Sequence, residues 1–427
     1  MSGRRGVAGA SGSVEIAVVG GGPAGARAAE LLADAGAEVV LLDPKAPWEK
    51  PCGGGLTESV FQDTPELREL RPSMQETRTV RIETHPDSGF TVPLATPIRI
   101  ISRRELARWQ LERARRAGAS RVAARVRSLR RGGDGWTLET DQGTLRAHRL
   151  VGADGAASLV RRTVAPRFHV ELAPTRVAYV PGAGPTPERM ILQIFPLVAG
   201  YVWDFPRPDH RSVGIGISAG TWRRPRMDEA VEALRHSTEA RPCDPVDVER
   251  RGAVIGTAQL GHGDWSVLGD DDVALLGDAA GLADPATGEG IRNALRSAQI
   301  LAAAWADDGS FRSFPRRARE AFGREFDVSR VMRRILFESD TGARILEGAQ
   351  RSAGAYALVA TIADAVNEHD GSVPSLMARW WRARRRDRRH PGKARRGPRR
   401  PAGEGGEGPP GGPNDGDSDG LRGPRAA

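Results

Sequence analysis

Three glycines near the start of the chain have the spacing of a dinucleotide-binding turn. In "VVGGGPAG", Gly20, Gly22 and Gly25 follow a run typical of a buried strand and open a pattern typical of a helix. The first glycine permits a tight turn, the second lets a pyrophosphate approach the backbone, and the third lets the helix pack on the strand. Asp43 ends the next predicted strand, where a carboxylate can accept a hydrogen bond from a ribose hydroxyl. These residues predict a bound dinucleotide, and the alternative is a plain glycine turn with a charged strand end.

A second short stretch, "KPCGGGL" at residues 50–56, holds a cysteine beside three glycines. Glycines let the chain pass close to a ligand where a Cβ would collide. The Cys52 thiol could line such a site or help to deliver a proton, and the alternative is a small buried hydrophobic residue. Cys243, the other cysteine, is distant in sequence and lacks metal-ligand spacing. This argues against a disulfide framework or a zinc site and suits a reducing cytoplasm.

The net charge of +9 is concentrated near the end of the chain. Residues 379–400 contain twelve Lys and Arg against one acid, whereas residues 1–378 are close to neutral. Trp380 and Trp381 lie among these arginines, a combination that favours peripheral contact with an anionic membrane surface. The same arginines could attract nucleic acid, which the near-neutral body does not favour, and the third alternative is a functionally idle tail.

No stretch approaches the roughly 18 uncharged apolar residues that a membrane span needs. The first residues also lack the apolar core and cleavage site of a secretory signal. We therefore expect a cytoplasmic protein, with peripheral contact at the inner face of the membrane as the further expectation from the tail.

The elements that position the two glycine-rich stretches can be read from the periodicity of the sequence. A strand, helix and strand at the start form a parallel unit whose helix closes at Gly36, and residues 80–94 form a hairpin. A helix follows Ser102 as N-cap, and strands dominate from there to residue 218. We expect a helix at 223–239, a short apolar strand running into a helix near Gly288, and mostly helix over 314–367.

Two later segments indicate which dinucleotide is bound. "LVGADGAASLVRR" and "VALLGDAAGLADPATGEGI" resemble the DG and GD motifs of the flavoprotein group that includes p-hydroxybenzoate hydroxylase, flavin halogenases and geranylgeranyl reductases. The resemblance covers most of residues 14–310 and implies one bound FAD. It also implies that Arg103, whose neighbour Arg104 competes for the match, lies near the cofactor. The other flavin-site residues that it implies are Asp154, Gly155, Asp278, Pro285, Gly288, Gly290 and Ile291.

These observations predict an α/β (α+β) protein. We expect a Rossmann-like, GR2-type FAD-binding domain in residues 14–168 and 263–311, interrupted by an antiparallel-sheet substrate domain in residues 169–262. The hairpin at 80–96 leans toward the substrate domain. Residues 312–378 form a C-terminal helical region, and residues 1–13 and 379–427 are a disordered lead and tail.

Two segments resemble geranylgeranyl reductases more than other members of the group. Lys50, Cys52, Gly53 and Gly54 match a K-x-C-G-G-like segment of those enzymes, which implies a position close to the flavin.

The second segment is "GYVWDFPR", which resembles their Y-x-W-x-F-P-[KR]-like strand. The matching residues are Tyr201, Trp203, Phe205, Pro206 and Arg207. Strand alternation places the three aromatic rings on one face, an arrangement suited to an apolar substrate. The alternative is an ordinary core face of a sheet.

The reaction that this resemblance implies is reduction of carbon-carbon double bonds in an isoprenoid substrate by hydride from reduced FAD. No second nucleotide motif is present, so NAD(P)H and ferredoxin both remain as electron donors. A diphosphate head group would need arginines at the entrance, for which Arg207 and Arg292 are the candidates.

Three alternatives share the predicted scaffold. A halogenase needs a lysine between flavin and substrate, and only Lys45 and Lys50 lie in the body of the chain, outside a halogenase-like context. A flavin monooxygenase acting on an aromatic or lipid substrate stays open, because oxygen activation has no compact sequence motif. A flavoprotein that acts mainly by binding through its tail is the third alternative.

Overall fold

A computed structural model describes residues 13–85, 88–182, 186–194, 200–217, 249–258, 260 and 263–368 of the 427-residue chain. Its strands are β1 (Val14–Val19), β2 (Val39–Leu42), β3 (Gly55–Leu56), β4 (Gln75–His85), β5 (Ser88–Ile100), β6 (Ser120–Val122), β7 (Val126–Gly132), β8 (Gly135–Thr140), β9 (Gly143–Gly152), β10 (Val170–Pro181), β11 (Arg189–Ile194), β12 (Gly200–Pro206), β13 (His210–Ile217), β14 (Glu249–Ala258) and β15 (Val273–Leu275). Its α-helices are α1 (Pro23–Asp34), α2 (Glu58–Asp63), α3 (Arg103–Arg116), α4 (Leu159–Val164), α5 (Ile291–Asp308), α6 (Phe314–Phe337), α7 (Asp340–Ala349) and α8 (Ala353–Glu368). The predicted helix at 223–239 and the basic tail lie outside the described residues.

The first sheet is built on the glycine-rich turn. Its strands run in the order β6-β2-β1-β9-β8-β7, with β15 beside β9. The pairs that involve β1, β2, β6 and β15 are parallel, and β7, β8 and β9 form an antiparallel meander. The side chains of β1 are almost all buried, as expected of a parallel strand covered on both faces.

Helix α1 joins β1 to β2 and packs against α3 and α5. It ends two residues before Gly36, whose φ of 88° is a left-handed conformation that glycine adopts without strain. Ser102 caps α3 as predicted, because its hydroxyl accepts hydrogen bonds from the backbone N–H groups of Arg104 and Glu105.

Among the described residues, the second sheet has eight strands in the order β14-β10-β13-β12-β11-β4-β5-β3. It is antiparallel except for the β4-β11 pair. The predicted hairpin forms β4 and β5 and belongs to this sheet. The described part of the chain therefore confirms the α/β (α+β) class, while the exact domain boundaries stay predictions.

The C-terminal helices cover the second sheet. Leu346, Ala349 and Val359 of α7 and α8 pack into one apolar cluster with β-strand residues that include Trp203 and Phe205. Among the described helices, none is both long and apolar enough to cross a membrane.

Candidate active site

The three glycines of the first turn occupy the positions that their spacing predicts. Gly20 has a φ of 104°, and an added Cβ there would lie 2.3 Å from the carbonyl oxygen of Ala153. At Gly25 an added Cβ would lie 1.8 Å from the carbonyl oxygen of Gly20, so this glycine lets α1 pack on the turn. At Gly22 it would point into open space, and no side chain caps the N-terminus of α1. This open, uncapped helix end fits a pyrophosphate.

Asp43 holds the turn in place. Its carboxylate accepts hydrogen bonds from the backbone N–H of Gly21 at 2.7 Å and from those of Lys45 and Ala46, each at 2.7 Å. The aspartate at the end of β2 is thus fixed next to the glycine-rich turn. Its contact with a ribose stays a prediction.

The DG motif lies beside the same turn. One carboxylate oxygen of Asp154 accepts from the N–H groups of Leu159 and Val160 at 2.6 and 3.2 Å, while the other is buried and has no hydrogen-bond partner among the described residues. Burial raises the pKa of Asp154. At Gly155, whose φ is 81°, an added Cβ would meet no other atom within 4 Å.

The GD motif is tied to the cysteine segment by an ion pair. Lys50 Nζ lies 2.8 Å from Asp278 Oδ2, and the two side chains are 24% and 15% exposed. Both residues belong to motifs that resemble those of flavin sites, but the sequence does not predict their contact. Gly290 precedes α5 without a side-chain cap, and an added Cβ there would lie 3.1 Å from Asp278 Oδ1.

Three more predicted residues belong to this turn and to the start of α5. Gly288 has a φ of 70°, Pro285 is buried, and Ile291 begins α5 with 6% exposure. The uncapped start of α5 resembles that of α1 and can offer its first backbone N–H groups to a negatively charged ligand atom, whereas the N–H groups of residues 286–289 are bonded within the turn.

The backbone of Cys52 is anchored on the second sheet. Its carbonyl oxygen accepts from Arg207 Nη2 at 3.0 Å and from Ser212 Oγ at 3.1 Å. Its Sγ accepts from the N–H of Gly54 at 3.3 Å, and the residue is partly exposed. The cysteine segment is therefore fixed against β12 and β13.

Close contacts within the protein explain why glycines follow Cys52. An added Cβ at Gly53 would lie 2.6 Å from the ring of Phe205, and one at Gly54 would lie 2.1 Å from the carbonyl oxygen of Ile101. Gly54 also has a φ of 82°. Close approach to the aromatic strand therefore requires Gly53, and close approach to the backbone after β5 requires Gly54, whereas close approach to a flavin stays a prediction.

The aromatic face predicted for β12 is present. The rings of Tyr201 and Trp203 have centroids 6.1 Å apart, and those of Trp203 and Phe205 are 6.5 Å apart. Trp203 and Phe205 are 4% and 9% exposed, and Pro206 ends the strand in a buried position. The Tyr201 hydroxyl donates to the carbonyl oxygen of Thr287 at 2.7 Å, which joins this face to the turn before α5. Burial raises the pKa of Tyr201, so its hydroxyl stays protonated.

Comparison with known proteins identifies the family. Geranylgeranyl diphosphate reductase of Rhodobacter capsulatus is 30% identical over 306 residues, which cover 64% of this chain and 70% of that protein. The chain belongs to the geranylgeranyl reductase family. Digeranylgeranylglycerophospholipid reductase 2 of Methanosphaera stadtmanae is 27% identical over 333 residues, 70% of this chain and 79% of that protein. A family model described as lycopene cyclase protein matches residues 15–178.

A solved structure confirms the fold of this geranylgeranyl reductase family member. The geranylgeranyl bacteriochlorophyll reductase-like protein of Thermoplasma acidophilum superimposes with a TM-score of 0.65 and 17% identity, covering 88% of this chain and 99% of that one. The predictions of an FAD-dependent oxidoreductase and of the reductase family are thus confirmed.

Arg103 and Arg104, between which the sequence motif does not decide, differ in their exposure to solvent. Arg103 is 9% exposed, whereas Arg104 is exposed. The Arg103 guanidinium has no hydrogen bond or ion pair to any described residue, so it is available to a ligand. The role of Arg103 as the family's flavin-site arginine stays a prediction.

The expectation that Arg207 and Arg292 lie at the site entrance is wrong. Arg207 is 1% exposed and donates to Glu49 at 2.8 Å. Arg292 is 6% exposed and donates to Asp63 at 2.6 Å. Both guanidinium groups are used inside the protein.

Glu49 accepts hydrogen bonds from several parts of the fold, a role that the sequence did not predict. Besides Arg207, its carboxylate accepts from Ser102 Oγ and from the N–H groups of Arg103 and Arg104 at the start of α3. Burial alone would raise its pKa, but the charge of Arg207 and these hydrogen bonds lower it to about 2. The only sequence signal was an acid directly before the cysteine segment.

A pocket opens beside the aromatic face. Its lining includes Tyr201 and Ile217 of the second sheet, Pro285 and Gly288 of the turn before α5, and Phe337 of α6. Mostly apolar walls with a few polar groups are typical of sites for apolar ligands.

Proposed function

We propose that this chain reduces carbon-carbon double bonds of an isoprenoid substrate, using FAD bound between the first glycine turn and the second sheet. The relatives named as reductases of geranylgeranyl diphosphate and of digeranylgeranylglycerophospholipid support this substrate class. The exact head group is left to experiment.

The residues that would hold FAD follow the carboxyl ends of the parallel strands β1, β2, β9 and β15 of the first sheet. The pyrophosphate would lie over Gly22 and the N-terminus of α1, and Asp43 would accept from the ribose. Asp278 and the turn through Gly288 and Gly290 would contact the ribityl chain and the ring system. Bound and reduced, FAD supplies the hydride for the reaction.

The observation that carries the proposal is the contact between the two reductase-like segments. Gly53 lies against Phe205, and the carbonyl of Cys52 is fixed by Arg207 and Ser212. The Lys50–Asp278 ion pair then joins the cysteine segment to the GD motif of the flavin site. The parts of the sequence that distinguish the reductases from other flavoproteins are therefore assembled in one place.

In this arrangement the protein's main task is to orient an apolar chain and exclude water. An unactivated double bond accepts hydride poorly, so the reacting carbons must be held close to the donor. The aromatic face of β12 offers apolar rings for this purpose, and residues of α7 and α8 pack in the same apolar cluster as Trp203 and Phe205. Cys52, partly exposed above the face, would line the site.

The two lysines of the described chain argue against a halogenase. Lys50 is paired with Asp278, and Lys45 is an exposed residue whose Nζ lies 5.7 Å from the centroid of the Trp48 ring. Neither offers a free ammonium group between flavin and substrate.

The test uses the purified flavoprotein reduced without oxygen. Geranylgeranyl diphosphate or a digeranylgeranylglycerophospholipid is added, and flavin reoxidation is followed by absorbance. The masses of the products are measured by mass spectrometry. We expect reoxidation and a gain of two hydrogens for each bond reduced. Turnover only under air, with oxygen added to the product, would instead support a monooxygenase. A preparation without bindable FAD would overturn both.

The electron donor and the membrane contact stay predictions. Flavin reduction by NADPH, NADH and reduced ferredoxin can be compared directly in the same preparation. The Arg- and Trp-rich segment at 379–400 lies outside the described residues, and vesicle sedimentation of the full chain against a chain ending at Ala378 would test its proposed membrane role.

A further inference from the structure

A glutamate lies within the glycine-rich turn that precedes α5. Glu289 is flanked by Gly288 and Gly290, two of the predicted flavin-site residues. Its carboxylate oxygen Oε1 accepts a hydrogen bond from Thr57 Oγ1 at 2.9 Å. Its N–H donates to Thr287 Oγ1 at 3.2 Å, and its carbonyl oxygen accepts from the N–H of Asp284 at 2.9 Å, so the backbone of the turn is well fixed.

This carboxyl group lies where two parts of the proposed active site meet. Thr57 directly follows the cysteine segment, and it bonds to Glu289 across 232 residues of sequence. Thr287, two residues before Glu289, accepts the hydroxyl of Tyr201 from the aromatic face. The turn that carries Glu289 thus contacts both the cysteine segment and the aromatic strand.

The surroundings of Glu289 favour its protonated form. The residue is partly exposed, but its carboxyl group is enclosed by protein, and this burial raises its pKa to about 7. The Thr57 hydroxyl and the charge of Arg292 on α5 oppose the increase. Asp284 in the same turn and Asp63 at the end of α2 add to it. An acid of this kind both holds a proton near neutral pH and releases it readily.

Two other protic groups lie near the aromatic face, and one of them is poorly suited to give a proton. The Tyr201 hydroxyl is committed to the Thr287 carbonyl, and burial makes it a weaker acid than a free tyrosine. Cys52 Sγ accepts a hydrogen bond from the N–H of Gly54, which does not engage its S–H proton, so the thiol remains the alternative donor. The structure adds the carboxylic acid of Glu289 as a second candidate.

We propose that Glu289 is the acid that completes reduction of the double bond. The inference rests on the proposed function. Hydride from reduced FAD forms one C–H bond, the O–H bond of Glu289 breaks as the second carbon takes the proton, and the alkene becomes an alkane unit with two added hydrogens. The Glu289 carboxylate then regains a proton from water, which restores the acid for the next cycle.

The test compares the parent with E289Q, which keeps the size of the side chain and removes the acid. We expect substrate-driven flavin reoxidation to slow by about 100-fold or more in E289Q, the usual cost of losing a general acid. In the parent the rate should fall as pH rises above about 7, because the acid must be protonated, and E289Q should lack this fall. FAD content and circular dichroism of both proteins should agree.

Two matched variants separate a chemical role from a structural one. E289D keeps an acid on a shorter side chain. It should react faster than E289Q, and its rate should again fall at high pH. C52A should keep the fall at high pH, because it retains Glu289. In FAD-free protein, the infrared carbonyl band of a protonated carboxyl group that titrates near neutral pH should be present in the parent and absent in E289Q.

The outcomes distinguish this inference from the function on which it rests. If the parent leaves the alkene unreduced, the proposed function fails and the inference falls with it. If the parent reduces the alkene and E289Q does so at the same rate with the same pH profile, the inference alone is overturned. If the fall in rate at high pH is lost in C52A and kept in E289Q, the proton comes from the thiol, and the inference is overturned.

Discussion

Replacing Glu49 by glutamine is expected to destabilise the protein strongly at neutral pH. Glu49 is the acceptor for Arg207, which is 1% exposed, and for the first N–H groups of α3. Glutamine keeps one acceptor oxygen but removes the charge. The buried guanidinium of Arg207 is then left without its counter-ion.

The magnitude follows from the pKa of Glu49. Its decrease from 4.5 to about 2 corresponds to a stabilisation of about 3 kcal/mol. The Glu49 side chain is 10% exposed, so solvent screening does not remove this effect. Breaking a buried ion pair by removing one partner costs about 3–5 kcal/mol in general, which agrees.

The sign of the pH dependence is fixed by the direction of this change. Because the folded state lowers the pKa, the stabilisation is complete above about pH 4.5 and is lost as pH falls toward 2. The difference in free energy of unfolding between the parent and E49Q should therefore be constant from pH 8 to about pH 5 and shrink below that. Equilibrium urea unfolding followed by tryptophan fluorescence measures it.

Glu112 provides a matched control. Hydrogen bonds from Arg115 and then Arg116 also lower its pKa to about 2, but the group is exposed on α3, where solvent screens the interaction. E112Q should therefore leave the unfolding transition unchanged. An E49Q protein as stable as the parent at pH 7, or a difference that already declines between pH 8 and pH 5, would refute the reasoning.

Two further predictions concern the flavin site. G22A should keep the melting temperature of the FAD-free protein, because the added Cβ meets open space. The same variant should weaken FAD binding at least tenfold in a fluorescence titration, because the Cβ would lie where the pyrophosphate approaches the backbone. G25A should prevent folding, because its Cβ would overlap the turn. FAD affinity equal to the parent's in G22A would contradict the placement of the pyrophosphate. K50M leaves the partly buried Asp278 without its cation and should cost about 1–3 kcal/mol in urea unfolding at pH 7, whereas K45M should have no effect. Equal unfolding of K50M and K45M would show that the ion pair does not stabilise the fold.

Much of the architecture could be predicted from local patterns. The glycine turn, most strands of both sheets and the helices after residue 314 follow from apolar periodicity and from residues such as Gly20 and Ser102, whose roles depend on their immediate neighbours. The strand β14 and the short helices α2 and α4 were among the elements not predicted. The predicted face of Tyr201, Trp203 and Phe205 also needed only strand alternation. Local sequence carries this information because backbone geometry repeats every two or 3.6 residues.

The tertiary structure decided which of the charged and polar groups meet. Nothing in the sequence pairs Lys50 with Asp278 or Thr57 with Glu289, because each pair is separated by more than 200 residues and is set by how the second sheet and α5 pack on the first turn. The same packing buries Arg207 against Glu49, where the sequence suggested an exposed residue at the entrance.

The cysteine segment shows both contributions together. Its sequence by itself determined the family resemblance and a close approach of the backbone to some neighbour, because three glycines leave no Cβ in the way. Only the tertiary structure decided that Phe205 is a neighbour of Gly53, and that Lys50 at one end of the segment and Thr57 just beyond the other reach acidic side chains of the flavin-site turns. The physical reason is that backbone freedom is a local property, whereas burial and charge pairing depend on every element that packs around a residue.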